Sequence, residues 1–541
     1  MKVHEAIAHT LHEVGVKELF GLIGDGNLYM VDSFVRQGGG RYVRAVHEAG
    51  AVLMALGWAQ VTGRIGAATV THGGGLTNAV TPLVEGVKSR TPMVLLAGDT
   101  PMEDREHLQK VNQHEIVIAT GAGFEQLRSP RTVARDVVRA FHRAWLERRP
   151  VVLNMPVDFQ WQEATPEKVS LKFPEVRSAT TASNDMDNAV GIIASSRLPV
   201  VLAGRGAMAP EVQAAIRRFA ARIEAPLTTT LRGKDLFQDD PFNLGFCGTL
   251  SNPLALEVLT QSDCIIAFGA SLNKYTAALG SLTSKKRIIQ ISPFPEDIGR
   301  YADFEAGLVG DLDLLADAMV ALMDEAEIPG SGCRSDELRD RIRDWQPATR
   351  VRGTPRPGTV DVLQALQAIN AALPPERLFA TDGGRFAIAA WAEIDVQTPR
   401  HFVHTQSFAA IGLGLGEAIG AAIAAEGKPT LLVAGDGSFM LSGLSELTTA
   451  VREKLDLVIV ICNDGSYGAE YIQFTKKDMD PSLSLLDWPD FAPVAQALGI
   501  PAATVGSSAE LDAAMAQLKA RDRSRPFLID IKLDPKVMPE F

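Results

Sequence analysis

Two short polar clusters in the last third of the chain carry residues suited to holding a metal ion. The runs GDGS at 435–438 and NDGS at 463–466 each follow an apolar, strand-like segment. Asp436, a second polar side chain and a backbone carbonyl can coordinate a hard divalent ion, with a diphosphate supplying the remaining oxygens. Either cluster alone is typical of a surface turn. Two of them, each after a buried strand, favour a metal and diphosphate site.

The elements that position these clusters follow from the pattern of the whole chain. Short β-rich apolar runs alternate with amphipathic stretches, which predicts an α/β fold of three doubly wound parallel-sheet domains. Both clusters then lie at the carboxyl ends of strands, where open α/β sheets bind ligands. Polar linkers containing Pro and Ser place the predicted domains at residues 1–162, 185–325 and 357–541.

Composition argues against several classes of function. The 541 residues are 46% hydrophobic, with a net charge of −12 and a pI of about 5.4, which argues against a nucleic-acid partner. The four cysteines lack metal-ligand spacing and are typical of a reducing cytoplasm. The N-terminus has no apolar signal core. The apolar stretch 407–425 contains Glu417 and several glycines, which predicts a loop entering a buried helix rather than a membrane span. We expect a cytoplasmic protein without a membrane or nucleic-acid partner.

Longer motifs connect the chain with a known family. GDGSF followed by NDGSYG resembles the signature of thiamine-diphosphate enzymes, as do FGLIGDGN, VHEAGA, THGGGLTN, LLAGDTP and AAIGLGLGEAIGA. The resemblance covers most of the chain and is nearest to the acetolactate synthase and pyruvate decarboxylase group. It implies a pyrimidine-binding, a central and a diphosphate-binding domain, in that order. It also implies thiamine diphosphate and Mg²⁺ as cofactors.

The resemblance assigns the metal ligands to individual residues. They are Asp436, Asp464 and the carbonyl of Ser466, and Asn463 is the alternative to Asp464. The sequence departs from the family in two ways. Asp464 stands where the family usually has the second Asn of a pair. The interval from Asp436 to Asp464, 464 − 436 = 28 residues, is one residue longer than the family pattern.

Activation of the cofactor requires a carboxyl group beside its aminopyrimidine ring, so that the cofactor can remove its own C2 proton. The resemblance assigns this role to Glu48, at the start of an apolar helix, where a carboxylate serving the helix dipole is the alternative. Ile411 takes the place of the bulky residue under the bent cofactor. The carbonyl of Ala409 would accept a hydrogen bond from the amino group of the cofactor. The resemblance also implies cofactor contacts from Gly435, Gly437, Ser438 and Asn78.

On the substrate side, Asp25 and Glu470 fall where pyruvate decarboxylase has catalytic acids. Two carboxyls facing the reacting carbon can shuttle a proton after CO₂ leaves. The adjacent His pair of that enzyme is missing from this sequence. His72 is the preferred replacement, and His107 or His114 are further options, although a lone His is more often structural.

The resemblance implies non-oxidative decarboxylation of a small 2-oxo acid, followed by release or carboligation of the remaining acyl unit. The active site is expected between subunits of a homodimer or homotetramer. FAD is doubtful, because SLNKYT follows Gly269-Ala270 where FAD-binding relatives have an RFDDR run. A simple 2-oxo acid decarboxylase and an FAD-containing 2-oxo acid oxidase on the same fold are the alternatives.

Overall fold

The computed structural model describes residues 1–165, 167–173, 177–345 and 355–537, without the side chain of Ser442. Its strands are β1 (Glu18–Gly21), β2 (Arg41–Arg44), β3 (Gly66–Val70), β4 (Met93–Asp99), β5 (Gly123–Gln126), β6 (Pro150–Pro156), β7 (Pro199–Ala203), β8 (Leu227–Thr229), β9 (Asn243–Phe246), β10 (Cys264–Phe268), β11 (Arg287–Ser292), β12 (Ala306–Val309), β13 (Leu378–Thr381), β14 (Phe402–His404), β15 (Thr430–Gly435), β16 (Leu457–Asn463), β17 (Ala502–Val505) and β18 (Phe527–Lys532). Its α-helices are α1 (Val3–Glu13), α2 (Leu28–Arg36), α3 (Glu48–Thr62), α4 (Gly74–Thr77), α5 (Val80–Lys88), α6 (Gln113–Thr120), α7 (Val133–Glu147), α8 (Asn184–Ala194), α9 (Pro210–Arg222), α10 (Pro253–Gln261), α11 (Leu312–Glu325), α12 (Asp336–Asp344), α13 (Val362–Ala372), α14 (Ala387–Glu393), α15 (Gly414–Ala424), α16 (Asp436–Ser442), α17 (Leu447–Arg452), α18 (Gly468–Thr475), α19 (Phe491–Ala497) and α20 (Ser508–Ala520).

The strands form three six-stranded parallel sheets with flanking helices, which confirms the predicted fold class. The first sheet has the order β2-β1-β3-β4-β6-β5 and the third has the order β14-β13-β15-β16-β18-β17. When the strands of each sheet are numbered from its own start, these two orders are identical. The central sheet, β12-β11-β10-β7-β8-β9, has a different order.

Contacts divide the chain into two compact units. Unit 1 combines the first and third sheets, and unit 2 holds the central sheet. The segment Asp395–Phe402, inside the third predicted domain, groups with unit 2. Positions 346–354, just before the predicted start at residue 357, and positions 538–541, at its end, lie outside the described residues. The predicted domain boundaries therefore stay predictions.

The central sheet has the strand order of dinucleotide-binding folds, 3-2-1-4-5-6, with its switch point between β7 and β10. The loops that follow these two strands contact each other directly. Gly206 donates its N–H to the Gly269 carbonyl at 3.2 Å. A Cβ atom on Gly204 would overlap the same carbonyl oxygen. These contacts do not involve a nucleotide, so the expectation that FAD is doubtful stays a prediction.

The two polar clusters are positioned by neighbouring strands of the third sheet. Strands β15 and β16 are fully buried, as expected for apolar β-branched runs in a sheet covered on both faces. They pair in parallel, with Gly435 opposite Cys462. Asp436 and Asn463 therefore lie at the same carboxyl edge. This confirms the prediction that both clusters follow buried strands.

The apolar stretch 407–425 forms a loop followed by α15, a buried helix of 11 residues. This confirms the prediction of a loop entering a buried helix. Among the described residues, no helix combines the length and apolar character that crossing a membrane requires.

Helices α3 and α15 join the first and third sheets through direct backbone contact. A Cβ atom on Gly57 would overlap the Glu417 carbonyl oxygen, and one on Gly420 would overlap that of Met54. Helix α3 is buried on nearly all its faces over Glu48–Ala59, as expected for a helix enclosed by protein. The glycines allow the close approach, so the placement of Glu48 relative to the third sheet depends on them.

We predict that Gly420→Ala lowers the free energy of unfolding by about 1–3 kcal/mol, because backbone atoms have to move apart to admit the methyl group. Gly191→Ala in α8 is the matched control, since open space surrounds its Cβ position. That control should be neutral or stabilising by about 0.4–1 kcal/mol. Thermal and denaturant unfolding measure both changes. Equal stabilities for the two variants would contradict the tight helix crossing.

Candidate functional site

The carboxyl edge of β15 and β16 brings two carboxylates onto one serine. Ser466 donates its N–H to Asp436 Oδ2 at 3.2 Å and its hydroxyl to Asp464 Oδ1 at 2.6 Å. Burial, followed by the charge of Asp464, raises the pKa of Asp436 to about 7. Two buried carboxylates so close together are costly unless a cation compensates them. The donor set therefore fits a hard divalent ion.

Asn463 is bonded to the neighbouring strand instead. Its Nδ2 donates to Asp530 Oδ1 at 3.0 Å, and its carbonyl accepts the Leu533 N–H at 2.8 Å. This supports Asp464 as the second metal ligand, although both assignments and that of the Ser466 carbonyl stay predictions. Within the described part of the chain, no group of three or more His, Cys, Asp or Glu residues could hold a metal. Backbone and ligand oxygens would have to complete any coordination here.

The remaining residues of the first cluster make local contacts. The Ser438 hydroxyl accepts the Gly435 N–H at 3.2 Å and lies 2.9 Å from the Gly435 carbonyl, to which it donates. A Cβ atom on Gly437 would lie 2.8 Å from the ring of Tyr467. Glycine is needed at 437 to admit this ring. The predicted contacts of these three residues with a diphosphate stay predictions.

Arg385, which follows β13 in the run DGGR, is an unpredicted member of the same edge. Its Nε donates to Asp464 Oδ2 at 2.8 Å, and its Nη2 donates to the same oxygen. Its Nη1 donates to the Pro535 carbonyl at 3.0 Å. The available signal was an arginine at the carboxyl end of a strand that adjoins the strand of Asp436.

The loop before α15 is held at its start by Glu85 of α5. This fully buried carboxylate accepts the N–H of Ser407 at 3.0 Å and that of Phe408 at 2.6 Å. The next residue, Ala409, has a φ of 61°, a left-handed conformation that costs a non-glycine residue about 1–3 kcal/mol. Such a conformation persists only where the surroundings impose it. Glu85 is one of the groups that impose it on Ala409.

Asp382, at the end of β13, holds the other end of this loop. Its carboxylate accepts the N–H groups of Gly383 at 2.6 Å, Gly412 at 3.0 Å and Gly414 at 2.7 Å. Burial raises the pKa of Asp382 to about 6, and the bonds from these N–H groups oppose that rise. Ile411, partly buried, lies against Gly383, where a Cβ atom would be 3.1 Å from its Cγ2. Ile411, which was predicted to support the bent cofactor, is therefore part of a loop that is anchored at both ends.

Glu48 is the first residue of α3 and is only 9% exposed. Asn78, at the end of α4, donates its Nδ2 to Glu48 Oε2 at 2.9 Å. The N–H groups of Val46 and His47 both donate to Oε1 of the buried Glu446, at 3.0 Å each. Glu446 therefore fixes the turn that presents Glu48. The structure thus brings together Glu48 and Asn78, two of the predicted site residues.

The loop that carries Asn78 also carries His72, which is 2% exposed and whose Nδ1 is buried without a hydrogen-bond partner among the described residues. The rings of His72 and His107 meet edge to face, with centroids 5.1 Å apart. Burial and the charge of His107 lower the pKa of His72, and the charge of Asp25 opposes this. A Cβ atom on Gly75 of the same loop would lie 3.5 Å from Glu48 Oε1. One loop therefore connects the carboxyl of Glu48 with a histidine pair.

Two other residues considered for the substrate side lie elsewhere. Glu470 is exposed in the first turn of α18, and none of the described contacts links it to Asp25. The ring of His114 packs on Phe124 at 4.8 Å rather than on His72. The predicted partnership of the two acids stays a prediction.

Four buried residues that position the site went unpredicted: Glu85, Asp382, Arg385 and Glu446. Glu85 and Glu446 accept N–H groups 322 to 400 positions away in the sequence. Each stands as a charged residue beside or within an apolar run, TPLVEGV for Glu85 and LSELTTAV for Glu446. That pattern indicates a buried charge, but it does not identify the partner.

We predict that His107→Gln raises the pKa of His72 toward 6.5, because the charge of His107 helps to lower it. Asp25→Asn should lower it further, since the carboxylate of Asp25 acts in the opposite direction. Because the folded pKa of His72 lies below its unfolded value, His72 contributes stability above pH 6.5 that is lost as the pH falls through the folded pKa.

NMR titration of the imidazole resonances measures the pKa of His72 in each variant. His114→Gln is the matched control and should leave it unchanged, because His114 contacts Phe124 instead. A His107→Gln variant with the parent pKa at His72 would contradict the electrostatic contact.

Comparison with known proteins identifies the family of the chain. Family models of the thiamine pyrophosphate enzymes match residues 1–118 (N-terminal TPP binding domain), 186–319 (central domain) and 382–531 (C-terminal TPP binding domain). The chain is 27% identical to the acetolactate synthase of Mycobacterium bovis, over 92% of this chain and 82% of that protein. It is 26% identical to the acetolactate synthase isozyme 2 large subunit of Escherichia coli, over 98% and 95%.

A further relative is the sulfoacetaldehyde acetyltransferase of Alcaligenes xylosoxydans xylosoxydans, 26% identical over 87% of this chain and 82% of that protein. Both acetolactate synthases and this acetyltransferase are therefore similar to the chain over most of its length. Three consecutive domain models of one family together match most of the chain. The chain belongs to the thiamine pyrophosphate enzymes.

Proposed function

We propose that this enzyme catalyses the thiamine-diphosphate- and Mg²⁺-dependent, non-oxidative decarboxylation of a small 2-oxo acid, with release or carboligation of the remaining acyl unit. The observation that carries the proposal is Glu48, buried at the start of α3 and bonded to Asn78. Relatives named acetolactate synthase and sulfoacetaldehyde acetyltransferase support transfer of the acyl unit to an acceptor.

Asp436 and Asp464 are the side chains that would hold Mg²⁺, together with the carbonyl of Ser466. The two carboxylates converge on Ser466, and burial followed by the charge of Asp464 raises the pKa of Asp436. This supports the role, because a divalent ion would compensate the buried charge and relieve the repulsion. Mg²⁺ keeps oxygen ligands and shares phosphate oxygens, so it would join these carboxylates to the diphosphate.

Glu48 would hold a proton against the ring nitrogen of the aminopyrimidine. When bound, thiamine diphosphate supplies a nucleophilic carbon that adds to the 2-oxo group and holds the electron pair left by CO₂. Ile411 and the carbonyl of Ala409 would keep the cofactor bent. The anchoring of their loop by Glu85 and Asp382 supports this role, since a loop held at both ends resists rearrangement.

His72, His107 and Asp25 would handle the proton that follows decarboxylation. His72 is buried, and its lowered pKa keeps it neutral near pH 7, where a neutral imidazole can accept a proton. Asp25 is exposed, yet close enough to influence that pKa. Glu470 would supply a second acid from the third sheet. Acids at the reacting carbon support aldehyde release and therefore a simple decarboxylase as the second candidate function.

The complete site would form between subunits of a homodimer or homotetramer. In one chain, the contacts among described residues group Glu48, Asn78 and His72 on the first sheet, and Asp436 and Asp464 on the third. None of those contacts joins the two groups. A second copy would supply the missing half to each.

We predict that Glu48→Gln slows deuterium exchange at cofactor C2 by at least about 100-fold, because the protonated partner of the aminopyrimidine is lost. Thermal unfolding should change little, since Gln can still accept the hydrogen bond from Asn78. Glu115→Gln, an exposed carboxyl in the first turn of α6, is the control and should exchange at the parent rate.

The same variants test the proposed reaction. With thiamine diphosphate, Mg²⁺ and a panel of 2-oxo acids, the parent should release CO₂ from at least one substrate, and Glu48→Gln should not. Mass spectrometry of the products identifies the acyl acceptor. A parent enzyme that consumes none of the 2-oxo acids would contradict the proposal.

We predict that Glu470→Gln slows aldehyde release more than CO₂ release and raises the ligated fraction of the product. The physical reason is that an acid near the reacting carbon favours protonation, whereas its loss lets the acyl unit await a second carbonyl. Product ratios with and without an added aldehyde acceptor measure the change. If Glu470→Gln released aldehyde and CO₂ at the parent rates and gave the parent product ratio, Glu470 would be an ordinary surface carboxylate.

A further inference from the structure

Asp464 and Arg385 form a buried ion pair at the carboxyl edge of the third sheet, with side chains 8% and 7% exposed. Arg385 directs two donors, Nε and Nη2, to the single oxygen Oδ2 of Asp464. The other oxygen, Oδ1, accepts the hydroxyl of Ser466, whose N–H donates to Asp436. Asp464 therefore turns one oxygen to Arg385 and the other toward the residue that it shares with Asp436.

Arg385 is held in this position from several sides. Its guanidinium lies over the ring of Tyr471, 5.5 Å from the ring centroid, and its Nη1 donates to the Pro535 carbonyl. Its Nε would lie 2.5 Å from a Cβ atom on Gly468, so the side chain fills the space that this glycine leaves. A guanidinium fixed in this way serves the carboxylate beside it rather than a mobile ligand.

The charges at this edge explain why such a partner is needed. Asp436 and Asp464 are both buried carboxylates, and the diphosphate proposed to bind here adds further negative charge. A buried carboxylate that lacks a partner is strongly unfavourable. With Arg385 bound to Oδ2, the ion pair is neutral overall and still offers Oδ1 as a donor oxygen. Asp464 can then coordinate a metal without repelling the diphosphate.

We propose that Arg385 is a positioning residue that neutralises Asp464 and directs its Oδ1 toward the metal. The inference rests on the proposed function for the presence of Mg²⁺ and thiamine diphosphate at this edge. It adds a role for a residue whose contacts include Asp464, Pro535 and Tyr471.

The test is a double-substitution cycle of R385Q, D464N and the combined variant, read by calorimetric titration of thiamine diphosphate at saturating Mg²⁺. In the parent background, R385Q leaves Asp464 as an uncompensated charge facing the diphosphate, and binding should weaken about tenfold or more. In the D464N background, Arg385 has no carboxylate to neutralise or direct. Adding R385Q there should leave binding within about twofold of D464N alone.

This dependence on Asp464 separates charge compensation from a merely structural role. An arginine that only supports the fold would weaken binding in both backgrounds, and that result overturns the inference. If R385Q alone fails to fold, the comparison of D464N with the combined variant still decides, because unchanged binding is required there. A parent that binds no thiamine diphosphate overturns both the proposed function and this inference.

R521Q is the matched control. Arg521 is equally buried, with a side chain 7% exposed, and pairs with Asp456 at the opposite, amino end of β16. R521Q should lower the unfolding temperature while leaving cofactor affinity within about twofold of the parent, since the two sites share no partner. Weakening by R521Q as large as that by R385Q would show that lost stability explains both, and the inference would fail.

Discussion

A carboxylate buried away from water must find hydrogen-bond donors, and this requirement organises the site in unit 1. Glu446 finds its donors in the turn before α3, and Glu85 finds them in the loop before α15. In each case the carboxylate lies in a helix or helix cap beside one sheet, and the N–H groups lie in a loop beside the other sheet. Each bond therefore fixes a site segment of one sheet relative to the other sheet, with the α3–α15 crossing as the rigid contact between them.

The carboxylates at the carboxyl edge of β15 and β16 also need partners, but they find them differently. Asp436 and Asp464 converge on Ser466, whose N–H donates to one carboxylate and whose hydroxyl donates to the other, and these two neutral donors cannot compensate two charges. One carboxylate has a guanidinium as its partner, and the other keeps a raised pKa. A bound cation would relieve this imbalance, which supports the proposed metal site.

The sequence predicted what depends on local pattern. Buried β-branched runs predicted the strands, and the strand ends predicted that the residues around Asp436 and Asp464 share an edge. The start of an apolar helix predicted the position of Glu48. Partners set by packing could not be predicted, because the donors to Glu446 are about 400 positions away and depend on how two helices cross. The hydrogen bond from Asn463 to Asp530 favours Asp464 as the predicted metal ligand, and it depends on a pairing of β16 with β18 that the sequence does not state.

The first and third sheets have one strand order but carry different chemistry after equivalent strands. After β3 comes the loop of His72, and after its counterpart β15 comes Asp436. The first edge offers a buried carboxyl and a histidine pair, whereas the third offers two carboxylates that would hold a metal ion and an arginine paired with one of them. Neither set contains what the other supplies. Because the backbone contact of α3 with α15 fixes both sheets within one chain, the proposed pairing with a second copy would let each edge meet its complement.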